Sequence, residues 1–250
     1  MKYLKANIPN TKELKVLHLC DLHWGSEAQD KQFMERIRSF IDVHQPRILI
    51  NGDLIQGTIK TSKGDLYEQR MTPEEQVDAA VEFFKPFAHL IDGVVSGNHD
   101  QRIEQEVSID VVKMFCRYLD IEDKYLGYGG VVGYSLNKCH YSIELFHGAH
   151  GAGTVGALDS KMKKFRKTDS DIFMCGHFHQ KLVTESFSYK IDPFNKRLHK
   201  VKRYNICGGC CVGYEKYAER MRMEERETTQ CVLTLKGEIK KKKIEVEWLV

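Results

Sequence analysis

Apolar residues in the first half of this chain come in short unbroken runs, and in the second half they alternate with polar ones. Lys15-Val-Leu-His-Leu-Cys20, Arg47-Ile-Leu-Ile50 and Ile91 to Ser96 are each too short for a buried helix and read as strands. Between them the spacing turns helical. Phe33, Ile37, Phe40 and Ile41 line one face of a predicted helix over 30–44, which Pro46 ends. Thr72-Pro73-Glu74-Glu75 has the composition of a capping box with proline at the first helical position, and predicts a helix reaching about His89. Ile109, Val112, Phe115 and Cys116 predict another over 103–119.

Beyond Tyr125 strands dominate. Val131–Leu136 and Tyr141–Phe146 flank Asn137-Lys138 as a hairpin. Leu158–Phe165 reads as a short basic helix and Asp171–Cys175 as a strand; further strands are expected over 181–191, 197–205, 229–235 and 238–248. A β-α-β-α-β-α order followed mostly by strands predicts an α/β layered sandwich: two mixed β-sheets packed together, flanked by helices. At 250 residues a single domain over 1–250 is expected.

Composition narrows the class without naming a function. The chain is 42% hydrophobic and 29% charged, with a net charge of +3, too small to imply a nucleic-acid partner by itself. No run of eighteen apolar residues predicts a membrane span, and the N-terminal residues lack an apolar leader core, so a cytoplasmic location is expected by default. In that compartment the eight cysteines should stay reduced. Cys207-Gly-Gly-Cys210-Cys211 would suit zinc, but a closed zinc site needs a second ligand pair and no other Cys-x-x-Cys occurs; small-residue packing is the expectation.

Chemistry gathers at the strand ends. Asp21 and His23, Asp53, Asn98, His147, and His177 and His179 each follow or end an apolar run, and ligands of open α/β sheets collect at carboxyl strand ends. Carboxylates, imidazoles and an amide form a mixed O/N donor set for divalent transition metals. Asp21-x-His23 and His177-x-His179 are each expected to point two donors the same way, because alternate residues of an extended segment share a face. Glycine precedes Asp53, Asn98 and His177, allowing tight turns. Two ions close enough to act together need a bridging ligand, and Asp53, with two carboxylate oxygens, is the natural one.

These blocks, Asp21-x-His23, Gly52-Asp53, Gly97-Asn98-His99-Asp100, His147 and Gly176-His177-x-His179, resemble in order the motif set of the calcineurin-like metallophosphoesterases. The resemblance implies that Asp21, His23 and His179 hold one metal, that Asn98, His147 and His177 hold the other, and that Asp53 bridges them. It implies a phosphate-ester substrate and two divalent ions, manganese first, with iron, zinc or nickel as alternatives. It also implies that His99 donates a proton to the leaving oxygen or stabilises phosphoryl charge, with Asp100 orienting it or raising its pKa.

Two departures bear on substrate. Gly52-Asp53 is followed by Leu54-Ile55-Gln56-Gly57, without the arginine of the protein phosphatase branch. Asn98-His99-Asp100-x-Arg102 with basic surroundings resembles the nuclease-like and phage-type phosphodiesterase branches. A phosphodiesterase acting on nucleotides or nucleic acid is therefore expected ahead of a phosphomonoesterase. A protein-binding scaffold that has kept the fold and lost catalysis is the reading from another class. Arg102 is a candidate phosphate contact or a surface ion pair, and His150 a candidate substrate-side imidazole or a surface group. The basic cluster Lys161, Lys163, Lys164, Arg166 and Lys167 would suit a polyanion, with a solvated helix face the simpler account. Lys240–Lys243 reads as the lysines of an edge strand. Oligomeric state is left open.

Overall fold

Alternation along the strands of two sheets decides which residues meet in the middle of the molecule. The computed structural model describes all residues except 9, 61, 63–68, 215–218, 221, 223, 226 and 239–240. In chain order the elements are β1 (Lys2–Lys5), β2 (Glu13–Leu19), α1 (Lys31–His44), β3 (Arg47–Asn51), α2 (Pro73–Phe84), β4 (Ile91–Val95), α3 (Asn98–Val107), α4 (Val111–Tyr118), β5 (Gly129–Leu136), β6 (Cys139–Phe146), α5 (Val155–Phe165), β7 (Ile172–Cys175), β8 (Lys181–Asp192), β9 (Arg197–Gly208), β10 (Gln230–Lys236) and β11 (Lys243–Leu249). Short 3-10 turns cover Lys85–Leu90 and Glu122–Lys124.

One sheet has six strands in the order β1-β5-β6-β7-β9-β8, the other five in the order β11-β10-β2-β3-β4. Val16, Leu49, Leu233 and Leu235 of the second sheet pack against Tyr134, Ile143, Met174 and Ile206 of the first. The alternate residues Leu17, Leu19, Ile48 and Ile50 turn outward against Phe33, Ile37 and Ile41 of α1, Ala80 and Phe84 of α2, and Phe115 of α4. On the far face of the six-stranded sheet, Leu158 and Met162 of α5 cover Phe173, Cys175 and Cys207. Two mixed sheets with flanking helices are therefore the architecture. Among the described residues no helix is long and apolar enough to cross a membrane.

Parallel pairing brings the candidate residues to one rim. β2, β3 and β4 are parallel neighbours, and so are β6, β7 and β9. Their carboxyl ends open onto the same edge of the sandwich. Thr72 caps α2 with the expected box: it accepts from the Glu75 amide, and its own amide donates to the Glu75 carboxylate at 2.7 Å.

Several boundaries differ from expectation. The helix expected over 103–119 is two, α3 and α4. Ser108 stops α3 in a left-handed conformation (φ 58°), and Asp110 starts α4 by accepting from the Lys113 amide. α3 also begins at Asn98, because the carboxylate of the distant Asp53 accepts from the His99 amide in its first turn, which local spacing does not reveal. α2 ends at Phe84 and tightens into a 3-10 turn, where Pro86 has no amide to donate. β1 is additional to the expected strands: four residues with little periodicity are held by parallel pairing to β5. The last strand starts at Lys243 rather than 238, and lies at the edge of its sheet. Lys240, part of the expected lysine edge, is outside the described residues.

Candidate metal centre

Left-handed backbone, not extended backbone, aims the donors. Asp21, His23, Asp53, His177 and His179 all have positive φ, at 53°, 47°, 50°, 69° and 51°. Non-glycine residues there carry strain of the order of 1 kcal/mol or more each, and such residues cluster at functional sites. The expectation that the Asp-x-His and His-x-His pairs converge because extended alternate residues share a face is thus corrected. Tight left-handed turns just past the strand ends do it.

Backbone hydrogen bonds zip these turns together. The Asp21 amide donates to the Gly52 carbonyl at 3.1 Å, the Leu22 and His23 amides donate to the Asp53 carbonyl, and the Gly176 amide donates to the His147 carbonyl at 2.8 Å. Two glycines are required by close approach. A Cβ on Gly52 (φ +83°) would sit 2.4 Å from His147 Nδ1, and one on Gly97 would sit 2.1 Å from the Asp53 amide nitrogen.

The side chains meet in three overlapping triads: Asp21, His23 and His179; His23, Asp53 and His99; and Asp53, His147 and His177. Within each, one donor atom per residue lies within 4.8 Å of the others. Asp53 Oδ2 stands 3.1 Å from His147 Nε2 and 3.8 Å from His23 Nε2. Asp21 Oδ1 lies 3.2 Å from His179 Nε2. Asn98 Oδ1 meets His177 Nδ1 at 2.7 Å, which brings the amide to the edge of the third triad. Asp21, His23, Asp53 and His147 are buried.

Tautomers follow from the partners of each ring. His147 Nδ1 donates to the Asn51 carbonyl at 2.8 Å, and His23 Nδ1 donates to Gln56 Oε1 at 2.8 Å. That leaves each Nε2 pointing into the centre, buried and without a hydrogen-bond partner. A buried orphan of this kind costs desolvation free energy, and a lone pair aimed at a carboxylate is repulsive unless a cation stands between them. The donor set therefore fits divalent ions.

Protons take the place of those ions in the free protein. Burial would lower the pKa of His147, but Asp53 and Asp21 outweigh it and raise it to about 10. Burial opposes the charge on His179 too, yet Cys210 and Asp21 hold its pKa well above the ordinary value. Burial would raise Asp21, and the imidazoles of His179 and His147 bring it down to about 2. Asp53 likewise falls well below the carboxylate range, with His147 and His99 overcoming burial. His23 and His177 go the other way, to about 3 and about 4, chiefly by burial. Two anions thus face two imidazoliums.

A pH dependence of metal binding follows. Metal needs neutral imidazole, so binding must displace the protons of His147 and His179. Raising the pH toward 10 thins out the His147 proton and should tighten binding, and lowering it should weaken binding. Titration calorimetry at pH 7 in buffers of different ionisation enthalpy should register about two protons released at saturation. Uptake of protons, or pH-independent affinity between pH 6 and 9, would contradict this. The same group has a signed effect on the metal-free fold. The folded pKa of His147 is raised, so its stabilisation is complete below pH 6.5 and lost as pH climbs through about 10.

His99 lies at the mouth, its side chain 18% exposed and its Nε2 3.9 Å from Asp53 Oδ2. Its amide donates to Asp53 Oδ1 at 2.8 Å, so Asp53 also caps α3. Its Nδ1 donates to the Gln56 carbonyl at 2.7 Å, which leaves Nε2 to face the centre. Arg102 Nη1 stands 3.2 Å from His99 Nδ1. Burial, aided by Arg102, lowers the pKa of His99 in spite of Asp53.

The expectation for Asp100 needs correction. Its carboxylate accepts from the amides of Gly97 (2.8 Å), Ile55 (3.1 Å) and Leu54 (3.3 Å), and none of its described hydrogen bonds reaches the His99 ring. It braces the Asp53 turn against the start of α3. Burial and the nearby Asp53 charge raise its pKa to about 7. His150 is not drawn in either. It lies on the loop after His147 with an exposed side chain, and its carbonyl accepts from Lys161.

Two participants carry no signal in the sequence. Gln56 holds His23 with its side chain and His99 with its main chain, although Gly-Asp-x-x-Gln signals no chemistry by itself. His18, assigned only to a strand, lies beneath the centre with Nε2 3.0 Å from Asn51 Nδ2, and Asn51 in turn supplies the carbonyl that orients His147. Gln56→Leu should weaken metal affinity at the Asp21–His23–His179 position by about 10- to 100-fold, as loss of a ligand's outer partner does. Chelator competition would measure it, and Gln56→Glu should restore most of the loss. Cys210 and Cys211 are buried, and among the described residues no metal cluster includes a cysteine.

The calcineurin-like phosphoesterase family model matches residues 14–181, which contain all seven candidate ligands and His99. The chain belongs to the calcineurin-like phosphoesterase family. Among solved structures, this phosphoesterase is similar to the phosphoesterase Yfce from E. coli, at 14% identity over 90% of this chain and 89% of that one, with a TM-score of 0.47. It is also similar to vacuolar protein sorting 29 from Cryptosporidium parvum (14% identity, 94% and 97% covered, TM-score 0.46). A third is Vps29 from Entamoeba histolytica complexed with zinc (15% identity, 95% and 100% covered, TM-score 0.39). No curated protein matches the chain.

Proposed function

We propose that this phosphoesterase hydrolyses phosphodiesters with two divalent cations, one held by Asp21, His23 and His179, the other by Asn98, His147 and His177, and both by Asp53. The observation that carries the proposal is the position of Asp53 Oδ2 between two buried imidazole nitrogens that lack partners, those of His147 and His23. One carboxylate facing two such donors is the arrangement a shared ligand needs.

When bound, such a pair of ions supplies water of lowered pKa and neutralises phosphoryl charge. The remaining work falls to the chain's own groups. Arg102, beside His99 at the mouth, offers a guanidinium fork to non-bridging phosphate oxygens. His99, its Nδ1 proton committed to the Gln56 carbonyl, takes a second proton at Nε2 when the anionic phosphate of a bound substrate offsets the burial and the Arg102 charge that lower its pKa, and passes that proton to the leaving oxygen. An alkoxide leaving group, of a diester or a monoester alike, gains most from that proton. The lean toward diesters rests on Gln56-Gly57, where the protein phosphatase branch has an acidic residue and an arginine.

Reconstitution of the metal-free protein with manganese, iron, zinc or nickel, followed by bis-p-nitrophenyl phosphate and p-nitrophenyl phosphate in parallel, tests the proposal. Faster turnover of the diester supports it. Preference for the monoester would assign a phosphomonoesterase, and no turnover with any of the four metals would leave the scaffold reading standing. The complete ligand set and the intact His99 favour catalysis over the scaffold.

A further inference from the structure

The hairpin of β8 and β9 outruns the sheet that carries it. β7 pairs with β9 only from Tyr204 to Cys207. β8 pairs with β9 along its full length, from Lys181↔Gly208 to Asp192↔Arg197. Seven cross-strand pairs, Ser186↔Arg203 to Asp192↔Arg197, therefore form a two-stranded arm with no third strand beside it among the described residues. Such ribbons are marginal alone, so the side chains on this one call for an explanation beyond stability.

One face of the arm is apolar and basic together. Phe187, Tyr189 and Ile191 stand opposite Lys202, Lys200 and Leu198. This face continues the inner side of the sandwich, where Val183 and Tyr204 pack into the core, past the point at which any described residue covers it. Phe187 is 55% exposed, Tyr189 64%, Ile191 77% and Leu198 64%. A soluble surface seldom shows so many large apolar groups in one row without a partner.

Charge selects the partner. Residues 181–203 hold seven lysines and arginines against two acidic residues, while the whole chain is only +3. Everything outside the hairpin is thus net negative, and the positive charge is concentrated on the hairpin, with Lys200 and Lys202 on the face of the aromatic row and Lys190, Arg197 and Arg203 on the other. Two such arms would repel each other, which disfavours a second copy as the occupant. The rings run along the flank of the ribbon at every second residue, about 7 Å apart, a spacing close to the reach of one nucleotide in an extended strand. Lys200 Nζ already sits 4.2 Å above the Phe187 ring, so a cation and a stacking surface share one spot. Aromatic platforms set in a basic track are how proteins hold unpaired bases.

We propose that the β8–β9 arm is a docking ledge for single-stranded nucleic acid. β8 starts two residues after His179 and runs to the arm, so a strand lying along it has a path to the centre. The inference that such strands are substrates rests on the phosphodiesterase reading; the binding itself does not.

The test is fluorescence anisotropy of labelled dT20 and rU20 with the full-length protein in EDTA, which separates docking from metal-dependent turnover. Saturable binding of at least one is expected, lowered tenfold or more in the double variant Phe187→Ala, Tyr189→Ala. In Lys200→Gln, Lys202→Gln the slope of log affinity against log salt should shrink by about 1.4. All four side chains are solvent-exposed or half-exposed, so both variants should keep the wild-type circular dichroism and their hydrolysis of bis-p-nitrophenyl phosphate. No saturable binding at low salt would overturn the proposal. So would affinity that follows the lysines and ignores the rings, or duplex binding as tight as dT20. A wild-type dimer that Phe187→Ala dissociates would assign the arm to self-association instead. Tighter binding to phosphatidylserine vesicles, lost in Phe194→Ser at the tip, would assign it to a membrane surface.

Discussion

Asp53→Asn should cost this phosphoesterase both of the proposed metal ions and at least a thousandfold in turnover. The amide keeps the size of the carboxylate and removes its charge. Asp53 Oδ2 now faces His147 Nε2 at 3.1 Å and His23 Nε2 at 3.8 Å, so one substitution takes a ligand from both positions. Asp53 Oδ1 also accepts the His99 amide at 2.8 Å, a bond that an amide oxygen can still accept. The start of α3 should hold, and the fold should survive as judged by circular dichroism. Elemental analysis after manganese loading should find well under one ion per chain. Full occupancy at two ions would refute the shared ligand. The raised pKa of His147 provides an independent readout, because among the charges that raise it Asp53 contributes most. In the Asp53→Asn variant the His147 proton should be lost at a lower pH, visible by NMR of the metal-free form.

His99→Ala should do the reverse: leave the ions bound and slow turnover by about 10²- to 10⁴-fold, the usual contribution of a positioned acid. The imidazole lies at the mouth and is outside the proposed ligand set, so occupancy should stay near the wild-type value. Leaving-group dependence separates the assigned role from a merely structural one. Esters with strongly acidic leaving groups need no proton and should lose little, whereas alkyl esters should lose most. Equal losses across leaving groups would contradict proton donation at Nε2. An intact rate with every ester would remove His99 from the mechanism altogether.

The architecture and the motif blocks that point to the family were legible because both depend on local features. Apolar runs of strand length, helical spacing around Phe33 and Phe115, and the Thr72 capping box are written in neighbouring residues. So is the coincidence of Asp21, Asp53, Asn98, His147 and His177 with strand ends. The ordered motif set then pointed to the family that the match over residues 14–181 establishes. The misleading signals were equally local. Asp21-x-His23 looks like extended backbone by spacing, yet both residues are left-handed, because backbone bonds to the distant Gly52 and Asp53 hold that conformation. Asp100 beside His99 in sequence suggested a pair, but α3 turns its carboxylate onto the amides of Leu54, Ile55 and Gly97.

By itself, then, the order of residues determined the layered α/β class, the donor chemistry and which strand ends carry it. These follow from side-chain type and from periods of two and 3.6 residues. Only the tertiary structure decided which nitrogen of each imidazole faces inward, that Gln56 steadies two histidines, and that the β8–β9 arm leaves its sheet bearing aromatic rings and lysines on one uncovered face. Each of those depends on a partner far away along the chain, such as Asn51 for His147 or the short β7 beside β9, and residue spacing carries no information about such partners.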